Sequence, residues 1–107
     1  MSKYKLWVVD DEESIRTICR SALEDHFVIE TFPNGSEALL ALNSDKPDLI
    51  ITDIKMPGLS GLDLLQKVSE RYPDLPTIVI TAHSDIDNAL SAYKGGAFEY
   101  LAKPFDL

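Results

Sequence analysis

LIITDIKMPGLSGLDLLQKVSERYPDLPTIVIT, residues 49–81, carries the pattern that decides the fold. It opens on one apolar run, Leu49 to Ile51, and closes on another, Ile78 to Ile80, each short and rich in β-branched residues, as strands are. Between them Leu62, Leu65 and Val68 recur at the spacing of a single helix face, and Pro73 ends that helix. Neither apolar run alternates with polar residues, which is the signature of strands covered on both faces in a parallel sheet. Strand, helix and strand in that order form a right-handed crossover unit.

The same order extends outward in both directions. Further strands are predicted at Leu6 to Val9, Val28 to Phe32 and, more weakly, Phe98 to Leu101. Further helices are predicted from Ile15, Ile18, Cys19, Ala22 and Leu23, from Ala38, Leu39 and Leu42, and from Ile86, Ala89, Leu90 and Tyr93. Ser36 and Asp85 are the candidate N-caps of the second and fourth helices, and Gly95 and Gly96 close the fourth. Such alternation predicts an α/β, doubly wound sheet of five parallel strands with helices on both faces. At 107 residues the chain is expected to be one domain, 1–107, lacking a fifth helix because only Asp106 and Leu107 follow Phe105.

Composition narrows the function. Ten basic against 18 acidic residues leave a formal charge of −8, which repels a nucleic-acid backbone, so no direct nucleic-acid partner is expected. The opening MSKYKLWVVDDEES runs from a short apolar stretch straight into acidic residues, unlike a signal peptide or a membrane span, and implies a cytoplasmic protein with no membrane partner. The single cysteine, Cys19, excludes an internal disulfide and sits at core spacing. Trp7 is expected to be partly buried near the acidic residues, and His83 to lie in a loop.

In an open parallel sheet, ligands bind beyond the carboxyl ends of the strands. Asp10 and Asp11 follow the first predicted strand, Asp53 the third, Thr81 and His83 the fourth, and Lys103 the fifth. Three gathered carboxylates repel one another unless a cation compensates. Oxygen donors suit Mg2+, whereas zinc would ask for histidine or thiolate. A carboxylate so placed can attack phosphorus to give an acyl phosphate, with Lys103 and the Thr81 hydroxyl stabilising phosphoryl oxygens. Each residue also has an ordinary role: Asp11 as a helix cap, Asp53 as a turn residue, Thr81 as a strand residue, Lys103 as a solvated charge.

VVDDE (8–12), TDIKMPGLSGLDLL (52–65), TAHSD (81–85) and GAFEYLAKPFD (96–106) together resemble a two-component response-regulator receiver domain, and the stretch TAHSDIDNALSAYKGGAFEYLAKPFD (81–106) resembles specifically the nitrogen-regulator (NtrC) type. The resemblance implies the flavodoxin-like, CheY-like strand order 2-1-3-4-5. It also implies Asp53 as phosphoacceptor, with Asp10, Asp11, Asp53 and the main-chain carbonyl of Lys55 as magnesium ligands. Thr81 and Lys103 contact the phosphoryl group, Tyr100 is the aromatic switch partner of Thr81, and a cis peptide precedes Pro104. The implied donor is a sensor histidine kinase. The chain would not be an enzyme beyond its own phosphorylation and dephosphorylation. Homodimerisation through the fourth helix and fifth strand, and a downstream transcriptional effector domain outside this chain, are further implications.

Other readings remain at this stage. A phosphorylation-independent interaction module could keep the same fold. A flavin binder would need a phosphate-cradling loop where DDEES stands, and no G-x-x-x-x-G-K-[ST] supports a nucleotide hydrolase.

Overall fold

The computed structural model describes residues 3–82 and 99–103. Its elements run β1 (Tyr4–Val9), α1 (Glu13–Leu23), β2 (Phe27–Phe32), α2 (Gly35–Ala41), β3 (Leu49–Asp53), α3 (Gly61–Arg71), β4 (Thr77–Ala82) and β5 (Glu99–Lys103). All strand pairings are parallel. β1 lies between β2 and β3, β4 pairs beside β3, and the backbone of β5 pairs along the outer side of β4, giving the order β2-β1-β3-β4-β5. The predicted fourth helix around Ile86 to Tyr93, its cap Asp85, Gly95, Gly96, His83 and the peptide before Pro104 lie outside the described residues.

The unalternating apolar runs mean what two-sided burial demands. Along β1, Trp7 and Val9 face one cluster with Ile50, packed under Ala38 and Leu42 of the α2 segment and Leu64 and Val68 of α3. Leu6 and Val8 face the opposite cluster with Ile29, Ile51 and Ile80, covered by Cys19 of α1. A one-residue slip would exchange the two sets, so the register is tightly specified. Trp7 is fully buried at 1 % exposure, not partly, and its ring tilts against Phe32 with centroids 4.9 Å apart. Cys19 is buried as its spacing predicts. The α1 stripe is narrower than its periodicity predicts. Ile15, Cys19 and Leu23 turn inward at four-residue intervals, while Ile18 and Ala22 are exposed.

Caps explain where the helices begin. Ser60 accepts from Asp63 N at 3.1 Å at the head of α3. At α2 the cap is Asn34 instead of Ser36: Asn34 Oδ1 accepts from Glu37 N at 2.9 Å, and Asn34 Nδ2 donates to Glu37 Oε2 at 3.0 Å. Ser36 therefore sits inside the first turn. The reciprocal Asn34–Glu37 pair satisfies a helix donor that a cap at Ser36 would leave to water.

The connection from α2 to β3 is fastened to the start of β1. Asp48 N donates to Lys5 O, Lys5 N donates to Asp48 Oδ2, and Lys5 Nζ meets Asp45 Oδ1 at 2.6 Å. The hydrogen bond from Lys5 holds the Asp45 carboxyl below its ordinary value, and Asp45 in turn raises Lys5. The lowered Asp45 contributes stability above the unfolded carboxylate value and loses it as pH falls through the folded one. The raised Lys5 contributes below its unfolded value and loses it as pH rises through the folded one. The pair's contribution is therefore fully present between the ordinary carboxylate value of 3.8 and the ordinary lysine value of 10.5. Both groups are about half exposed, so Asp45→Asn is expected to lower the urea midpoint only slightly at pH 7, and less still in molar salt or once the pH falls below the lowered Asp45 value.

Thr77, at the start of β4, is 1 % exposed, and its hydroxyl has no hydrogen-bond partner among the described residues. Burying an unpaired hydroxyl costs on the order of 1–3 kcal/mol, whereas a methyl of the same shape costs nothing in hydrogen bonding. Thr77→Val is accordingly expected to raise stability by about 1 kcal/mol, read as a higher denaturation midpoint at unchanged slope.

Candidate phosphoacceptor site

The carboxyl ends of the strands form one edge, and the acidic residues meet there. β1 ends at Val9, and Asp10 follows with no exposed surface. Its main chain is still tied to the sheet, because Asp10 N donates to Phe32 O at 3.1 Å. Its side-chain Oδ1 accepts from Glu12 N at 2.9 Å, which turns the chain toward α1. Asp11, next along, is exposed and does not cap α1. The residue at that cap is Glu12, which makes no side-chain capping bond. Asp53 closes β3, is 6 % exposed, and is paired in register with Ile80 of β4.

Asp10, Asp11 and Asp53 each offer a carboxylate oxygen, and the three oxygens all lie within 4.8 Å of one another. Two of the three side chains are buried, so water screens their repulsion poorly and a cation there would gain most of its Coulomb attraction. The donors are all hard carboxylate oxygens, with Asp11 opening the cluster to solvent. That donor set fits a hard divalent cation that keeps several waters, and does not fit a thiolate- or imidazole-seeking metal.

The loop after β3 is shaped by two glycines. Gly58 has φ of +79°, a left-handed conformation that glycine adopts without strain. Gly61 begins α3 with its N–H donating to Ile54 O at 2.7 Å. A Cβ there would collide with the main chain of Asp53 and Ile54. Helix α3 thus reaches β3 as closely as backbone can approach backbone. Sequence reasoning passed over Gly61, because close approach depends on how two elements meet and not on local spacing. The same loop, with Ile54, Lys55, Met56, Pro57, Ser60 and Leu62, walls a depression of about 450 Å³.

The remaining predicted residues are placed by their backbone. Thr81 pairs with Ala102, and Lys103, the last residue of β5, pairs with Ala82. Tyr100 pairs with Val79. Thr81 and Lys103 are therefore at the same end of adjacent strands as Asp53. Lys55 is exposed two residues beyond Asp53.

A family model described as response regulator receiver domain matches residues 6–107. The chain belongs to the response regulator receiver domain family. Among its relatives, the DNA-binding transcriptional regulator NtrC of Salmonella typhimurium is 51% identical over 108 residues, covering 100% of this chain and 23% of that protein. This receiver domain thus spans about a quarter of the length of such relatives. The solution structure of the BeF3-activated receiver domain of nitrogen regulatory protein C superposes with a TM-score of 0.83 at 51% identity, covering 99% of this chain and 86% of that one. The crystal structure of the receiver domain of NtrX from Brucella abortus gives a TM-score of 0.90 at 36% identity, covering 95% and 88% respectively. The nitrogen-regulator type expected from TAHSDIDNALSAYKGGAFEYLAKPFD agrees with the similarity to NtrC. Among the described residues, no helix is long and apolar enough to cross a membrane.

Proposed function

We propose that this receiver domain accepts a phosphoryl group on Asp53 from a phosphorylated histidine of a sensor kinase, in a transfer that requires Mg2+. The observation that carries the proposal is the gathering of three carboxylates, two of them buried, at the carboxyl edge of the sheet. An Oδ of Asp53 attacks phosphorus, and the phosphorus–nitrogen bond to the donor imidazole breaks with its electron pair left on nitrogen. The product is a mixed anhydride of Asp53 and phosphate.

Asp10, Asp11, Asp53 and the main-chain carbonyl of Lys55 would hold the magnesium. When bound, that ion supplies the positive charge that lets the carboxylates stay ionised together and draws charge from phosphoryl oxygens. Thr81 donates its hydroxyl to one phosphoryl oxygen and Lys103 its ammonium to another. The phosphoryl group replaces a single charge with a larger one and three acceptor oxygens, which biases the Thr81 and Tyr100 region between two arrangements. The chain is no enzyme beyond this self-directed chemistry. It works in the cytoplasm, pairs with a second copy through the region of the fourth helix and fifth strand, and controls transcription through an effector domain of a longer parent. The name and length of the NtrC relative support that last step.

The test is mass spectrometry of the intact chain after incubation with a small phosphodonor, with magnesium in one arm and a chelator in the other. One added phosphoryl mass is expected in the magnesium arm alone. A folded chain that gains nothing, or gains it equally with chelator, would reject the proposal.

A further inference from the structure

Arg16 Nη1 donates to the main-chain oxygen of Asp10 at 2.6 Å, reaching back across six residues from the first turn of α1. A cation in the first turn of a helix opposes the helix dipole, so its position there calls for a compensating partner. The partner is the turn that carries the acid cluster. Only three residues separate β1 from α1, and two of them, Asp10 and Asp11, belong to the carboxylate group. Asp10 N is held by Phe32 O on the sheet and Asp10 Oδ1 by Glu12 N within the turn. The Arg16 bond adds a tie from the helix to the same residue.

We infer that Arg16 is the positioning residue of the magnesium site: its half-buried guanidinium clamps the Asp10 carbonyl, and so sets how Asp10 and Asp11 are presented to the ion. The inference rests on the proposed magnesium-dependent function. A charged donor on a carbonyl makes a stronger bond than a neutral one, and partial burial protects it from screening. The clamp also brings a positive charge to a turn whose carboxylates repel one another, which limits their splaying before the ion arrives. Groups that orient metal ligands without touching the metal change affinity by about 10–100-fold when removed.

The experiment compares the parent, Arg16→Met and Arg16→Lys by calorimetric Mg2+ titration, alongside the Mg2+ dependence of phosphorylation by a small phosphodonor. Methionine keeps much of the unbranched apolar stem but loses the charge and the donor. Lysine keeps both. The expected result is that Arg16→Met raises the magnesium dissociation constant and half-saturating concentration at least tenfold, while its phosphorylation rate at saturating magnesium stays close to the parent's. Arg16→Lys is expected to recover most of the affinity. An Arg16→Met protein that binds magnesium as the parent does would overturn the inference, even if it melts earlier, because Arg16 would then be only a packing residue. A folded parent that binds no magnesium would instead strike down the proposed function, and with it this inference, before any variant is compared.

Discussion

Asp53→Asn is expected to abolish the phosphoryl adduct while leaving the domain folded. The amide matches the carboxylate in shape, so the last position of β3 and its pairing with Ile80 persist. What disappears is the nucleophile, since an amide oxygen at that position has no full negative charge to offer phosphorus. The substitution also removes one of the three clustered carboxylates, so magnesium affinity falls with it. Its thermal midpoint without magnesium should stay within about 5 °C of the parent's, the shift that roughly 1 kcal/mol produces in a domain of this size. Intact mass and thermal unfolding together check the result. A variant that takes up phosphate as the parent does would place the chemistry on another residue, Asp10 and Asp11 being the nearest carboxylates.

Gly61→Ala is expected to be the most damaging single methyl group in the described chain. The added Cβ would sit on the Asp53 carbonyl oxygen, 2.7 Å from Asp53 C and 2.8 Å from Ile54 Cα. All of these are backbone atoms, so no side-chain rotation relieves the clash. Either the head of α3 lifts away, breaking the bond from Gly61 N to Ile54 O, or the end of β3 is displaced. Overpacking costs about 1–3 kcal/mol where side chains can shift, and more where backbone must. A loss of at least ~3 kcal/mol corresponds to a thermal midpoint lower by roughly 10–20 °C. Phosphorylation should slow as well, because the displaced residue is Asp53 itself. Gly58→Ala is the control. A Cβ there meets nothing within 4 Å, so only the positive φ of 79° opposes it, at a cost of about 1–2 kcal/mol. Equal midpoints for the two variants would show that α3 does not bear on the strand as described.

The architecture was legible because the physics that builds it is local in sequence. Runs such as Leu6 to Val9 lack alternation when helices cover both faces, and Trp7 and Leu6 then divide cleanly between two clusters. The meeting of Asp10, Asp11 and Asp53 was legible for a related reason, since residues at the carboxyl ends of adjacent parallel strands must come together. Contacts that depend on three-dimensional approach were not. The Arg16 clamp spans a turn of no fixed period, and Gly61 reveals its role only when α3 docks on β3. Ser36 was the expected cap of α2, but Asn34 takes that place because its side chain and Glu37 satisfy each other's hydrogen-bonding groups. The stripe of α1 was read too wide, because periodicity marks which residues could face the sheet and not how much sheet lies beneath them.

The most direct test of the central claim is to find the phosphorylated atom. The parent is incubated with magnesium and a small phosphodonor, the acyl phosphate is reduced with borohydride, and the digested chain is sequenced by mass spectrometry. The account predicts homoserine at position 53 alone, and only in the magnesium-treated sample. Homoserine at position 10 or 11, or no reduced residue in a folded chain, would contradict it.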